Sequence, residues 1–394
     1  MRVLILGVDG YIGWPLACNL SQRGHEVYGL DNFTRRRLVY LERSAPAMPI
    51  VPLENRVKRL NAIVTKDIEV MNCDVSQDYY CLHNVLETFQ PQVIYHLAEM
   101  PSAPWSMRNR ENCQWSMSNN VGGTLNVLWA MRECCPNAHL IKIGTMGEYG
   151  TPPLPIPEGL CEVKVRGITA KMHFPRNAGS WYHQTKVHDT HNIRMACQQW
   201  GLMCTDIMQG IVYGCHTTAT SKHLDLRTRL DFDECFGTAI NRFMVQAVVG
   251  HPLTVYGEGY QTRSVLPLQD SINCLTLVGE RIIPESGEYR EINQFHEYKT
   301  IREMAQVVVG AYYERFNKEP KVHYIPNPRI EQKEHFYQPI SEVLPAIGYN
   351  NSMSMEQVVR LALLELHHHR DELKRYKKII YPRIQWSGGS GLAN

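Results

Sequence analysis

The sequence predicts an α/β protein: a doubly wound parallel sheet followed by a smaller C-terminal domain. Three observations carry this. Short β-branched runs alternate with longer amphipathic stretches through the first half. The first run ends on a glycine-rich turn that opens a helix. The chain has 394 residues, enough for two or three units at roughly 150 residues each.

In chain order, the strands are expected at Arg2–Leu6, Glu26–Leu30, Ile68–Met71, Val93–Leu97, His139–Ile143 and Met203–Met208. Helices are expected at Ile12–Arg23, Tyr79–Thr88, Asn119–Arg132 and Tyr182–Trp200. Six strands joined by right-handed crossovers place a ligand crevice at the carboxyl ends of the strands. From about Gln209 the rhythm gives way to loops rich in Gly, Pro, Thr and Arg, with helices near Phe236–Val249 and Ser354–Tyr376. The expected division is residues 1–208 for the sheet domain, to which some later segments return, and 209–386 for a substrate-binding domain. A glycine-rich tail at 387–394 is expected to fray.

Composition excludes several classes of function. Apolar residues at 44% and charged residues at 20% fit a globular chain. With 41 basic against 39 acidic side chains the net charge is +2, so no bulk field draws in nucleic acid or an anionic membrane. No apolar run approaches the ~18 residues of a membrane span. No signal segment precedes the first strand, so a cytoplasmic protein is expected. The twelve cysteines are scattered without a CxxC pair, which predicts free thiols and no zinc site.

The first turn reads Gly7-Val8-Asp9-Gly10-Tyr11-Ile12-Gly13. Following a strand and opening a helix, it supplies a tight turn, bare backbone for a pyrophosphate and a helix N-terminus aimed at it. This is the Rossmann-type dinucleotide fingerprint in its GxxGxxG spacing. Asp31 ends the second strand eighteen residues beyond Gly13, where a carboxylate accepts both ribose hydroxyls and repels a 2′-phosphate. NAD is therefore expected over NADP, although Arg35, Arg36 and Arg37 lie close enough to neutralise such a phosphate. Asn32, Asp74 with Val75, Leu97, Asn119 and Gln209 complete the expected cofactor set.

Tyr182 and Lys186 stand four residues apart at a helix start and so share a face. The ammonium favours the phenolate and also holds the nicotinamide ribose. The tyrosine is then the base that takes a hydroxyl proton as hydride leaves the same carbon. Thr145, ending the fifth strand, shares the substrate's hydrogen bond.

These motifs make the chain resemble the extended short-chain dehydrogenase/reductases (NAD-dependent epimerases and dehydratases), and within them the UDP-sulfoquinovose synthase family. The resemblance rests on Ser102-Ala103-Pro104-Trp105-Ser106-Met107, Thr145-Met146-Gly147-Glu148-Tyr149-Gly150, Tyr182-His183 with Lys186-Val187-His188-Asp189, His251 to Gly257, and Pro326-Asn327-Pro328-Arg329. It implies oxidation of a UDP-glucose-like or nucleoside-linked sugar at C4, loss of water across C5–C6, and addition of sulfite before hydride returns. Asn241, Arg242 and Arg329 match positions that cradle the uridine diphosphate. Met100, Ser102, Gln209, Thr254, Tyr256 and Arg263 are expected to line the substrate site. The long helices at Asn119 and Tyr182 match the pair such enzymes use to form a homodimer.

Two departures from the family pattern stand out. The Asp-Glu pair that usually follows the threonine in sugar dehydratases is replaced by Met146 and Gly147, leaving Glu148 and His183 as acid–base candidates. The Gln and Arg that the family places before Ser-Ala-Pro are Met100 and Pro101, and a second arginine is missing between Arg263 and Asp270. An arginine suits an anionic sulfur nucleophile, whereas methionine and proline offer neither charge nor donor. The cycle therefore ends either in sulfite addition or in hydride return to give a 5,6-unsaturated sugar. A 4-epimerase and a non-catalytic NAD-binding scaffold are the competing readings.

Overall fold

The computed structural model describes residues 1–329, 337–384 and 386. The first half runs β1 (Arg2–Leu6), α1 (Gly13–Gln22), β2 (Glu26–Asp31), α2 (Thr34–Leu41), α3 (Leu53–Asn61), β3 (Glu69–Asn72), α4 (Tyr79–Phe89) and β4 (Val93–His96). It continues with α5 (Ala103–Ser106), α6 (Arg110–Cys134), β5 (His139–Thr145), β6 (Leu160–Val165), β7 (Ile168–His173), α7 (Trp181–Trp200) and β8 (Met203–Gln209). The remainder comprises β9 (Ile211–Tyr213), α8 (Ala239–Val249), β10 (Leu253–Tyr256), β11 (Thr262–Pro267), α9 (Leu268–Arg281), β12 (Tyr289–Gln294), β13 (Glu297–Thr300), α10 (Ile301–Phe316), β14 (Val322–Ile325), α11 (Val343–Ala346) and α12 (Met355–His368).

Seven strands form one all-parallel sheet in the order β12-β8-β5-β4-β1-β2-β3. The order reverses direction at β1 and β4, the switch point where such sheets open a crevice. Alternation along β1 shows why helices cover both faces. Val3 and Ile5 pack with Trp14, Leu16 and Leu20 of α1 and Leu275 and Val278 of α9. Leu4 and Leu6 pack on the other face with Leu82 and Leu86 of α4, Val127 and Met131 of α6 and Ile193 of α7. A third core joins α8, α10 and α12 through Phe243, Val308 and Leu363 beside β10 and β11. That assembly stands against the carboxyl ends of the sheet.

The six expected strands are present to within two residues at each end. A seventh, β12, comes from far down the chain to pair with β8. Helix α6 begins nine residues before the expected Asn119, because the Asn109 side chain caps Asn112 N at 2.8 Å. Helices α2 and α3 and the β6–β7 hairpin were not expected. The late helix stops at His368 and is followed by a separate turn at Arg370–Leu373. Residues 387–394, expected as a tail, lie outside the described residues. Among the described residues no helix is long and apolar enough to cross a membrane.

Candidate active site

A cavity of about 770 Å³ opens at the carboxyl ends of β1, β4 and β5. Along one flank lies the glycine turn. Gly7 has φ +88°, and a side chain there would meet the Leu97 carbonyl at 2.8 Å. A Cβ on Gly13 would lie 2.1 Å from Gly7 O, so only glycine lets α1 start this close to β1. No side chain caps the α1 N-terminus, which leaves its amides available to an anion. Tyr11, Ile12, Asn32, Val75, Leu97 and Asn119 line the same flank.

Asp31 ends β2 at this flank, accepting hydrogen bonds from Asp9 N and Phe33 N, both at 2.8 Å. Burial, with the nearby Asp9 carboxylate, pushes its carboxyl up to about 6. Burial works against the Asp74 charge as well, but hydrogen bonds from Ser76 and Asn32 hold its carboxyl below the ordinary value. Two other expected cofactor residues sit elsewhere. Asp9 points away from the cavity into a cage where Arg36 forks onto it at 2.5 and 2.7 Å and the fully buried Arg56 at 2.9 Å. Arg36 is thereby withheld from a bound nucleotide. Arg35 does line the cavity, but its guanidinium is paired with Asp231 at 2.9 Å and stacked over Phe236. Two of the three arginines that complicate the preference for NAD over NADP, Arg35 and Arg36, are thus already engaged by carboxylates, whereas Arg37 is exposed to solvent.

At the other end, Thr145 closes β5 and its hydroxyl caps the following turn by accepting from Gly147 N. The Ser180 side chain caps α7 through His183 N, so Tyr182 and Lys186 enter the cavity from the first turns of one helix. Burial pushes the Tyr182 phenol up, against the pull of the Lys186 ammonium. Lys186 Nζ donates to the Ile143 carbonyl at 2.5 Å and pairs with Glu99 at 2.8 Å.

His183 takes the place that the missing dehydratase residue leaves open. A Cβ at position 147 would lie 2.4 Å from its ring, so the imidazole fills the volume a side chain there would need. Ser180 Oγ lies 2.9 Å from its Nδ1. Burial, then the charges of Arg329, Arg263 and Lys186, bring its pKa down to about 3, so the ring is neutral at pH 7.

Glu148, the other acid–base candidate, does not reach the cavity. Its side chain is fully buried among Lys142, Arg176 and the Thr190 hydroxyl, the last at 3.0 Å. Burial pushes its carboxyl up. Residue 148 lies inside a 3₁₀ turn, where at three residues per turn its side chain leaves the axis about 120° away from position 147, which faces His183.

Met100, Ser102, Gln209, Arg242, Thr254, Tyr256, Arg263 and Arg329 all line the cavity, as expected. Asn241 does not. Its side chain accepts from Gly214 N at 3.0 Å and ties α8 to the loop after β9. Gln209 is held by Ser271 and by Gln294 of the late strand β12. Arg329 stacks over Trp386. Sequence reasoning gave no role to Glu99 and missed Trp115 and Phe236, which with Pro101 form an apolar wall. A lone carboxylate closing the buried run Val93 to Ala98 was the available signal for Glu99.

A glycine-turn nucleotide cradle joined to a tyrosine–lysine–threonine reaction centre defines an NAD-linked short-chain fold. The chain belongs to the NAD dependent epimerase/dehydratase family, which matches residues 3–290. Among its relatives, UDP-sulfoquinovose synthase of Sulfolobus acidocaldarius is 41% identical over 387 residues, covering 98% of each chain. The chloroplastic UDP-sulfoquinovose synthase of Spinacia oleracea is 38% identical over 98% of this chain and 79% of its own. In three dimensions the chain is similar to the Bacillus cereus UDP-glucuronic acid 4-epimerase, solved with UDP-glucuronic acid and NAD. That match has a TM-score of 0.68 at 20% identity and covers 93% of this chain and 99% of the other.

Proposed function

We propose that the protein is a UDP-sulfoquinovose synthase-like enzyme acting on a UDP-hexose. The observation that carries this is the neutral His183 imidazole occupying the space above Gly147, beside Thr145, Tyr182 and Lys186, in a chain 41% identical to such a synthase. The glycine turn and Asp31 would hold NAD, which would supply the hydride acceptor for a redox-neutral cycle. Tyr182 takes the C4 hydroxyl proton with Thr145 sharing that hydrogen bond, while Lys186 stabilises the phenolate. The resulting C4 ketone acidifies the C5 proton. His183 removes it and delivers a proton to the departing C6 hydroxyl, so one water leaves and a 4-keto-5,6-ene remains. Arg263 and Arg329 hold the diphosphate. A diphosphate bound there offsets Arg263 and Arg329, two of the three charges that add to burial in depressing His183, so the substrate itself raises the basicity of the group that acts on it.

Two endings follow from the same alkene. Sulfite adds at C6 and C5 regains a proton, as the relatives' name implies, or the alkene is kept when the ketone is reduced. The apolar Met100 and Pro101 favour the second ending, since they give a sulfite dianion no charged donor. The test is incubation with UDP-glucose, with and without sulfite, and product mass. Loss of one water, with or without gain of sulfite, is expected. An unchanged mass with no solvent deuterium at C5 or C6 overturns the reading in favour of a 4-epimerase. Met100→Gln with Pro101→Arg is expected to lower the KM for sulfite roughly tenfold, the worth of one charge-assisted hydrogen bond.

A homodimer is supported by exposed Leu125 and Trp129 on α6 and Trp181 and Met195 on the adjoining α7. The unpaired cysteines support a reducing compartment such as the cytoplasm.

A further inference from the structure

Glu99 follows β4 and lines the cavity, yet its side chain is only 2% exposed. It lies 2.8 Å from Lys186 Nζ, and His96 Nε2 is 3.9 Å away. Beyond that ion pair neither carboxylate oxygen accepts a hydrogen bond within the protein. A buried carboxylate with so few donors costs stability, and an apolar side chain of similar volume would often be at least as stable. The placement instead resolves what orients Lys186. Its ammonium is held from one side by the Ile143 carbonyl at 2.5 Å and from the other by Glu99, with the Tyr182 ring centroid 6.0 Å away.

We infer that Glu99 is a positioning residue for hydride transfer, clamping the Lys186 ammonium beside Tyr182 and tempering the charge it exerts on the phenol. This rests on the reading of Tyr182 as the base. The charged groups around the three residues come from several elements. Tyr182 faces Lys186, Glu99, Lys142 and Glu148. Lys186 faces Glu99, Tyr182, Lys142 and Asp189. Glu99 faces Lys186, His96, Lys142 and Asp189. Burial alone would raise Glu99, but Lys186 first, with His96 and Lys142 behind it, holds it below the ordinary carboxylate value, so the clamp is ionised. An ionised Glu99 disfavours phenolate at Tyr182, and removing its charge lets Lys186 act in full.

The test is a spectroscopic titration of the Tyr182 phenol, read as the difference between each Glu99 variant and the same variant carrying Tyr182→Phe. Glu99→Gln keeps an acceptor for Lys186 but loses the charge, and its midpoint is expected to move to lower pH by about one unit. Glu99→Asp keeps the charge but withdraws it by one methylene, so a smaller downward shift is expected. The acid limb of the pH–rate profile for transient nicotinamide reduction should move with it. An unchanged or raised midpoint in Glu99→Gln, at unaltered melting temperature, overturns the inference. If Glu99→Gln does not fold, Glu99→Asp decides, and a midpoint identical to wild type overturns it equally. The phenol titration requires no turnover. If titration shifts while no sugar is oxidised, the proposed function fails and the clamp stands.

Discussion

The two ends of the cavity are assembled from different distances along the chain. At the adenosine end, Gly7 to Gly13, Asp31 and Asp74 lie within one contiguous stretch, and the carboxylates there are held by nearby backbone amides or arginines. At the reaction end, Glu99, Thr145, Tyr182, Arg263 and Arg329 come from the loop after β4, β5, α7, β11 and the loop after β14. The first end is local grammar, specified by short spacings. The second is a meeting of remote segments, and its electrostatics exist only after folding.

That contrast can be broken most severely at the reaction end. Tyr182→Phe is expected to lower turnover by roughly 10³-fold, the usual worth of a positioned acid–base group, while NAD content measured by mass spectrometry stays unchanged. Gly147→Ala tests the volume His183 occupies. Its Cβ would lie 2.4 Å from the ring, and displacing the imidazole is expected to cost about 10²-fold in kcat with little change in cofactor affinity.

At the adenosine end the expected losses concern stability and cofactor choice. Asp9→Asn leaves the fully buried Arg56 without its carboxylate and should cost about 3 kcal/mol in denaturant unfolding. The same change releases Arg36, so the preference for NAD over NADP should narrow in competition binding. The smallest effect is one of pH. Asp31 accepts ribose hydroxyls with both oxygens only when ionised, and its carboxyl titrates at about 6. NAD affinity should therefore be flat above that value and fall about tenfold per pH unit below it, as for loss of one bound-state acceptor to a proton. Calorimetric Kd values from pH 7 to pH 5 check this.

The same contrast explains what was legible in the sequence. Six strands of the large sheet could be read because each is a short apolar run bounded by turn residues. Asp31 and the glycine turn could be read because their spacing follows from the geometry of one strand–helix–strand unit. The tyrosine–lysine pair was visible for a similar reason, four residues on one helix. What could not be read required partners far away. Asp9 looked like a cofactor contact until folding brought Arg36 and Arg56 onto it. Glu148 looked like an acid until a 3₁₀ turn directed it towards Lys142. Helix α2 has no polar cap and starts from Phe33 in a left-handed conformation (φ 55°), so no local signal announced it. Strand β12 is drawn into the sheet by β8 and carries polar residues, Glu291, Asn293 and Gln294, that meet their partners only inside the fold.

That last strand also governs how the protein must be made. A ribosome has to release about three quarters of the chain, up to Gln294, before β8 gains its outer neighbour. Until then Met203–Gln209, the strand carrying Gln209, presents an open flank to every other nascent segment in reach. A translation product that ends between β8 and β12 carries an intact fingerprint at Gly7 and an unsealed sheet, and is expected to depend on chaperones.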